Sequence, residues 1–199
     1  IPEAIDTDFN ELDIKPFTIP NKDSFNFYSI FEWTERKNPA MLLEAYWREF
    51  ENDKNVGLVL KTYVDNFTPE KKDELNSYIK QIKVKLGLTK YAPLFLYRQL
   101  MDRHQIYRFH KTFDCFVSAH RGEGWGIPQM EAMLMGKPII STNCGGIHEH
   151  IRTGEAILIP HRLIPLSGNN RNQQWYKNDQ MWAEADIYQL RGAMRWVFT

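Results

Sequence analysis

Strand-like and helix-like segments alternate along this chain from residue 25 to residue 199, and that alternation leaves few folds open. Phe25 to Phe31 is a short β-rich run. Asn38-Pro39 follows it, a pair suited to an N-cap and a first helical residue, where the missing proline N–H costs nothing. Leu42, Leu43, Tyr46 and Phe50 then recur at helical spacing, with Glu44, Arg48 and Glu49 turned towards water. Val56 to Val64 is the next strand. Thr68-Pro69 opens a helix with Leu75, Ile79, Ile82 and Leu86 on one stripe, and Gly87 stops it. Pro93 to Tyr97 and Phe113 to Ser118 read as strands, joined by a helix through Leu100 and Tyr107. Ile139 to Ser141 and Ala156 to Ile159 are two more. Asp186 caps a last helix whose apolar residues are Ile187, Leu190, Met194 and Val197. Such runs bury their apolar faces by wrapping helices over a parallel sheet. The predicted fold is α/β, an open Rossmann-like parallel sheet flanked by helices. Sheets of that kind take ligands at the carboxyl ends of their strands.

Three segments reach that edge. The first strand leads to Glu32-Trp33-Thr34-Glu35-Arg36-Lys37, the Phe113–Ser118 strand to Glu123-Gly124-Trp125-Gly126, and the Ile139–Ser141 strand to Asn143-Cys144-Gly145-Gly146. Glu123 is followed by seven residues and then by Glu131. Between them, glycines flank a tryptophan and Pro128 suits the first turn of a helix, so Glu123 belongs on a loop and Glu131 on the helix after it. The start of that helix offers free N–H groups and a positive dipole end, which favour an anion. Two carboxylates around an anion cradle suit a ligand carrying both hydroxyls and phosphate. A nucleotide sugar has that chemistry.

The same region resembles the E-x(7)-E signature of retaining glycosyltransferases with two Rossmann-like domains (the GT-B fold), the superfamily of glycogen synthases, sucrose synthases and bacterial mannosyltransferases. Its elements stand here in order: Ser118, Glu123 to Gly126, Pro128, Glu131-Ala132-Met133, Gly136-Lys137-Pro138, Ile139-Ile140, Gly145-Gly146 and Glu149. The resemblance implies that Glu131 binds the ribose and that Glu123 contacts the transferred sugar. It implies that the backbone of Gly124, Trp125, Gly126 and Ile127 approaches the sugar and phosphates. Lys37 and Arg36 would neutralise the donor diphosphate, and with Glu123 they form the expected catalytic set. The usual family pattern G-R-x(4)-K-G is broken, since Glu32 stands at the usual arginine. Trp33-Thr34-Glu35-Arg36-Lys37 fits a W-x-x-R-K variant instead.

The family places an N-terminal acceptor domain before this one. Ile1-Pro2-Glu3-Ala4-Ile5-Asp6 resembles the end of its linker. Residues 1–24 therefore read as linker and residues 25–199 as the donor-binding domain, with the acceptor domain absent from this chain. Alone, such a half is expected to bind a nucleotide weakly and to transfer nothing. Expected partners are a UDP- or GDP-linked sugar, the missing domain and a glycan, lipid or protein acceptor. A non-catalytic sugar- or nucleotide-binding module is the alternative, and Glu32 is the feature that favours it.

Other chemistry is less well supported. Charges balance at 25 basic and 25 acidic residues, so no global field recruits nucleic acid or membrane, and no apolar run is long enough to span a bilayer. Cys115 and Cys144 read as free thiols of a reducing compartment, which makes the expected location cytoplasmic. No cofactor or metal is expected: Asp6-Thr7-Asp8 sits away from any strand end, and His148 and His150 lack further ligands. No G-x(4)-G-K-[ST] loop supports an NTPase. His120 and Arg121 precede the glutamate loop and are as readily solvated as cleft-lining. Lys61 is a weak third phosphate candidate, and the backbone near Leu96 and Tyr97 a candidate for reading the base. Residues 160–182 show no period and read as one long connection.

Overall fold

The computed structural model describes residues 14–19, 24–66, 68–152, 154–166, 176 and 179–199. Its centre is a six-stranded parallel sheet in the order β3-β2-β1-β4-β5-β6. The strands are β1 (Phe25–Glu32), β2 (Val56–Tyr63), β3 (Leu94–Tyr97), β4 (Cys115–Ser118), β5 (Ile139–Thr142) and β6 (Ile157–Ile159). Because helices cover both faces, the middle strands are buried almost without interruption rather than alternating. β2 is buried from Val56 to Thr62, and even Lys61 within it is only 6% exposed.

Three helices lie on one face: α1 (Pro39–Phe50), α2 (Pro69–Leu86) and α5 (Ile187–Phe198). They pack on Phe27, Leu58, Leu60, Cys115, Val117 and Ile140 through Leu42, Leu43, Tyr46, Leu75 and Leu190. Trp47 and Tyr46 of α1 donate to the carbonyls of Ala92 and Pro93, tying that helix to the start of β3. Glu49, expected towards water, instead faces α5 and holds Arg191 at 3.2 Å and Arg195 at 2.8 Å. The other face carries α3 (Arg103–Thr112) and α4 (Ile127–Leu134) over Tyr28, Val59, Phe116 and Ile139. Phe17 also packs there, and its N–H reaches Thr112 Oγ1.

Two expectations need correction. α3 does not reach back to Leu100, because Asp102 and Gln105 build a capping box that fixes its start, and Leu100 is left 77% exposed. The stretch read as one long connection contains two strands, β7 (His161–Pro165) and β8 (Met181–Ala185), paired antiparallel from His161↔Ala185 to Pro165↔Met181. Their periodicity is hidden because β7 is exposed on all but one residue, so no apolar face marks it. Asp186 caps α5 as expected, accepting from the N–H groups of Tyr188 and Gln189.

Candidate functional site

β1 and β4 are neighbours in the sheet, but the chain leaves them in opposite directions. After β1 it turns to α1 and β2, and after β4 to α4 and β5. Between two such strands the connections diverge and leave a crevice at the carboxyl edge, the usual ligand site of an open α/β sheet. The segments expected at that edge do converge. The Arg121 N–H donates to the Arg36 carbonyl at 2.7 Å, and the Gly146 N–H donates to the Glu123 carbonyl at 3.1 Å.

Glu123 is at the centre of the crevice. Its Oε1 and Oε2 accept from Lys37 Nζ at 2.8 and 2.5 Å, and Oε2 also lies 3.3 Å from an Arg36 guanidinium nitrogen. The same Arg36 nitrogen donates to the Gly122 carbonyl at 2.6 Å. Lys37 and Arg36 lie in a single 3-10 turn, Glu35–Lys37, which ends at Asn38 in the left-handed region at φ 53°. Asn38 precedes α1 as expected but makes no side-chain cap. Burial pulls the Lys37 ammonium below the ordinary lysine range, and the Glu123 carboxylate pulls it back up. Two cations on one carboxylate leave positive charge in excess, so the cluster as a whole attracts an anion.

An open hollow of about 510 Å³ lies against this cluster, lined by Arg36 and by Gly122 to Pro128. α4 starts inside it. Gly126 precedes that helix at φ 80° with no side chain capping the first turn, so the N–H groups of Ile127 and Gln129 have no partner within the helix. The loop is pinned from beneath by the Gly145-Gly146 turn. A Cβ on Gly146 would run into the Gly124 carbonyl, so only glycine fits against the loop at that place. Trp125 donates to Met130 Sδ at 3.1 Å and packs its ring on His150. A second cavity, of about 370 Å³, lies behind the cluster between α1 and α2, and Glu32 faces it together with Trp33, Tyr78 and Lys85. The carboxylate at the usual arginine position therefore lines that cavity rather than the hollow beside Glu123.

Glu131 occupies a different environment. It is 3% exposed, between α4 and α3. Its Oε2 is 3.2 Å from His110 Nε2, and Oε1 is paired with an Arg103 guanidinium nitrogen at 2.6 Å. His120, which the sequence left between solvent and cleft, is fully buried beneath the loop, 3.3 Å from Ser141 Oγ and 3.6 Å from Cys144 Sγ. Burial drives its pKa down to about 4, with Lys37, Arg36 and His161 adding to the fall and Glu123 opposing it. Arg121 is not solvated either. It bridges Glu184 of β8 at 2.6 Å and Glu35 at 3.0 Å, and its carbonyl accepts from Ala183 N–H. Lys61 lies over the Tyr63 ring in β2, away from the lining of the hollow.

Of the eight residues proposed from sequence, seven line or form one site: Glu123, Lys37, Arg36, Gly124, Trp125, Gly126 and Ile127. Glu131 is set apart. Sequence reasoning missed Tyr28, Arg103 and His110 around it and Glu184 at the rim. The available signals were a tyrosine in a buried strand and a histidine on a buried helix face. Asp6 and Asp8 lie outside the described residues, and no three metal-binding side chains gather among the residues described. No helix among those residues is long and apolar enough to cross a membrane.

A parallel sheet of this order, with a cation-carboxylate cluster and a helix start at its switch point, is a Rossmann-like α/β domain. A family model described as "Glycosyl transferases group 1" matches residues 24–165, and the chain belongs to that family. No curated protein matches it. Among solved structures, the C-terminal domain of the group 1 family protein LpcC from Francisella tularensis is 21% identical, with a TM-score of 0.51, over 70% of this chain and 72% of that one. HepE from Anabaena, solved with UDP and glucose, is 19% identical with a TM-score of 0.54, over 71% of this chain and 36% of that one. Sucrose-phosphate synthase from Thermosynechococcus elongatus is 17% identical with a TM-score of 0.61, over 88% of this chain and 36% of that one. At such identities the likeness establishes the fold, that of the C-terminal domain of two-domain glycosyltransferases. The chain spans little more than a third of the two longer enzymes.

Proposed function

We propose that this chain is the donor-binding half of a retaining glycosyltransferase and holds a UDP- or GDP-linked hexose in the crevice between β1 and β4. The observation that supports this reading best is the Lys37–Glu123–Arg36 cluster facing the start of α4. The donor diphosphate would take the N–H groups of the first α4 turn and the positive charge of Lys37 and Arg36. The Gly124–Ile127 backbone, lacking side chains at two positions, would let sugar and phosphate come close. Glu123 would then turn from its two cations to the hydroxyls of the transferred sugar. Glu131 would take the ribose, with half-exposed Arg103 moving aside.

In the transfer step the bond between the sugar C1 and the diphosphate oxygen breaks and an acceptor oxygen bonds to C1 from the same face. The acceptor proton passes to the departing phosphate oxygen. Lys37 and Arg36 are suited to stabilise the charge that collects on that oxygen. The acceptor and the second domain would come from outside this chain. The second reading, a module that binds without transferring, is favoured by Glu32, which stands where the family pattern has its arginine.

Calorimetric titration with UDP and GDP tests the reading. One diphosphate should bind preferentially, and Lys37→Met should weaken it about tenfold to thirtyfold, the worth of a charge-assisted contact at a half-buried site. Equal binding of UDP by wild type and Lys37→Met would remove the diphosphate role. Donor hydrolysis or transfer by the chain joined to a suitable N-terminal domain would separate the enzyme from the binding module.

A further inference from the structure

Glu131 has one oxygen held within the core and the other paired with the half-exposed Arg103 at 2.6 Å. Its Oε2 meets His110 Nε2 at 3.2 Å, and His110 Nδ1 in turn meets the Tyr28 hydroxyl at 2.9 Å. A carboxylate only accepts hydrogen bonds, so Nε2 must carry the proton of that contact. A neutral imidazole has one N–H, so Nδ1 accepts, and the Tyr28 O–H is the donor to it. The order of donation is therefore fixed from Tyr28 to His110 to Glu131. We infer that Tyr28 and His110 are positioning residues that hold Glu131 with Oε1 turned towards Arg103, as the oxygen offered to the ribose of the donor once that half-exposed side chain moves aside.

The inference rests on the ribose reading of Glu131 given above, and the surroundings support it. His110 and Tyr28 are both fully buried. Tyr28 is packed edge-on against Phe109 and Phe116 and tilted against Phe113, so its hydroxyl cannot swing. Burial holds the imidazole neutral, with Lys137 and Arg103 acting in the same direction and Glu131 against it. Protonation would make Nδ1 a second donor facing the Tyr28 O–H, and the relay would fail. Stability alone does not account for three linked polar groups here, since apolar residues of the same volume serve a core at least as well. Their arrangement leaves Oε1 to Arg103, whose side chain is half exposed and so the one partner of Glu131 that can give way to a ligand.

The test compares UDP and GDP with their 2′,3′-dideoxy counterparts in calorimetric titrations of the full chain, because loss of positioning affects ribose recognition and not the diphosphate. Wild type should prefer the ribose form by about tenfold to a hundredfold, the range for hydrogen bonds to a charged group. His110→Phe should bring that preference close to one while dideoxy affinity stays within about twofold, as does the loss of a contact used by one ligand only. Tyr28→Phe should lower it part of the way, and His110→Gln, which can still donate and accept, should restore most of it. Thermal melts of each variant show which remain folded, and Tyr28→Phe serves if His110→Phe does not. Equal weakening of both ligand forms with the preference intact would overturn the inference. If Glu131→Ala itself kept the preference, or wild type showed none, the ribose reading would fall first.

Discussion

Glu123 and Glu131 are eight residues apart in sequence but are held by opposite means. Glu123 lies on a loop at the rim, with two cations on its oxygens and the backbones of three strand-end loops around it. Glu131 is in the second turn of a helix, held within the core by a neutral imidazole that a tyrosine backs, with a single half-exposed arginine on its other oxygen. The first arrangement depends on charge and close backbone contact, and it can exchange its partners for a ligand. The second depends on burial, and it would present an oxygen without itself moving once Arg103 swings aside. On the proposed reading, the charged cluster would serve the diphosphate and the transferred sugar, and the buried carboxylate the ribose.

The largest effect expected from breaking this contrast comes at Gly146. Its N–H supports the Glu123 carbonyl, and a methyl there would meet the Gly124 carbonyl, a backbone atom that cannot give way as a side chain could. Gly146→Ala should destabilise the fold by about 3 kcal/mol through overpacking, which lowers the melting temperature by about 6–12 °C in a domain of this size. Diphosphate affinity should be lost with it, while the ribose preference at the Glu131 end persists in whatever binding remains. A variant that melts and binds like wild type would show that the loop is not held by this turn.

A second test sets the two buried histidines against each other. His120 lies under Glu123 and His110 under Glu131, and both are held below the usual histidine range by burial. The unfolded chain therefore binds protons at a higher pH than the folded one. The stability from this source is complete above about pH 6.5 and lost as pH falls towards 4. For His120 the shift to about 4 corresponds to about 3 kcal/mol at most. Melting temperatures measured from pH 7.5 down to 4.5 should fall, and His120→Gln should flatten the curve while leaving the His110 part of the slope. An unchanged slope in that variant would mean that His120 titrates normally and is not sealed beneath the loop.

The contrast also marks how far the sequence could be read. The strand and helix alternation was legible because period and caps are local: Asp186 caps α5, Thr68 caps α2, and Pro128 stands in the first turn of α4. The loop around Glu123 was legible for the same reason, since glycine and proline spell out its path. The relay at Glu131 was not, because Tyr28, His110 and Glu131 are brought together only by the packing of α3 and α4 on β1. Each of them alone reads as an ordinary polar residue. The ribbon was hidden for a different reason: β7 is exposed on nearly every residue and carries no apolar period, and its partner follows only after a stretch without pattern. Glu49 misled because α5, distant in sequence but in the same layer, covers a face that α1 alone would leave to water.

The smallest effect expected is at the ribbon, and it decides whether the rim has one support or two. Glu184 of β8 takes Arg121 at 2.6 Å, and both side chains are about 15% exposed, so the pair is neither sealed in the core nor freely screened. Arg121 connects three pieces: its side chain reaches Glu35, its N–H the Arg36 carbonyl, and its carbonyl the Ala183 N–H. Two of those ties are backbone bonds that survive a change at Glu184, and glutamine keeps one acceptor for the guanidinium. Glu184→Gln should therefore cost about 1 kcal/mol or less and lower the melting temperature by no more than about 4 °C. Its nucleotide affinity should stay within about threefold of wild type, the scale of a rim charge removed without leaving a buried partner unpaired. A loss of tenfold or more would mean that the ribbon, not the glycine turn beneath, sets the position of Glu123. The contrast between the two glutamates would then be one between two kinds of clamp rather than between a movable loop and a fixed core.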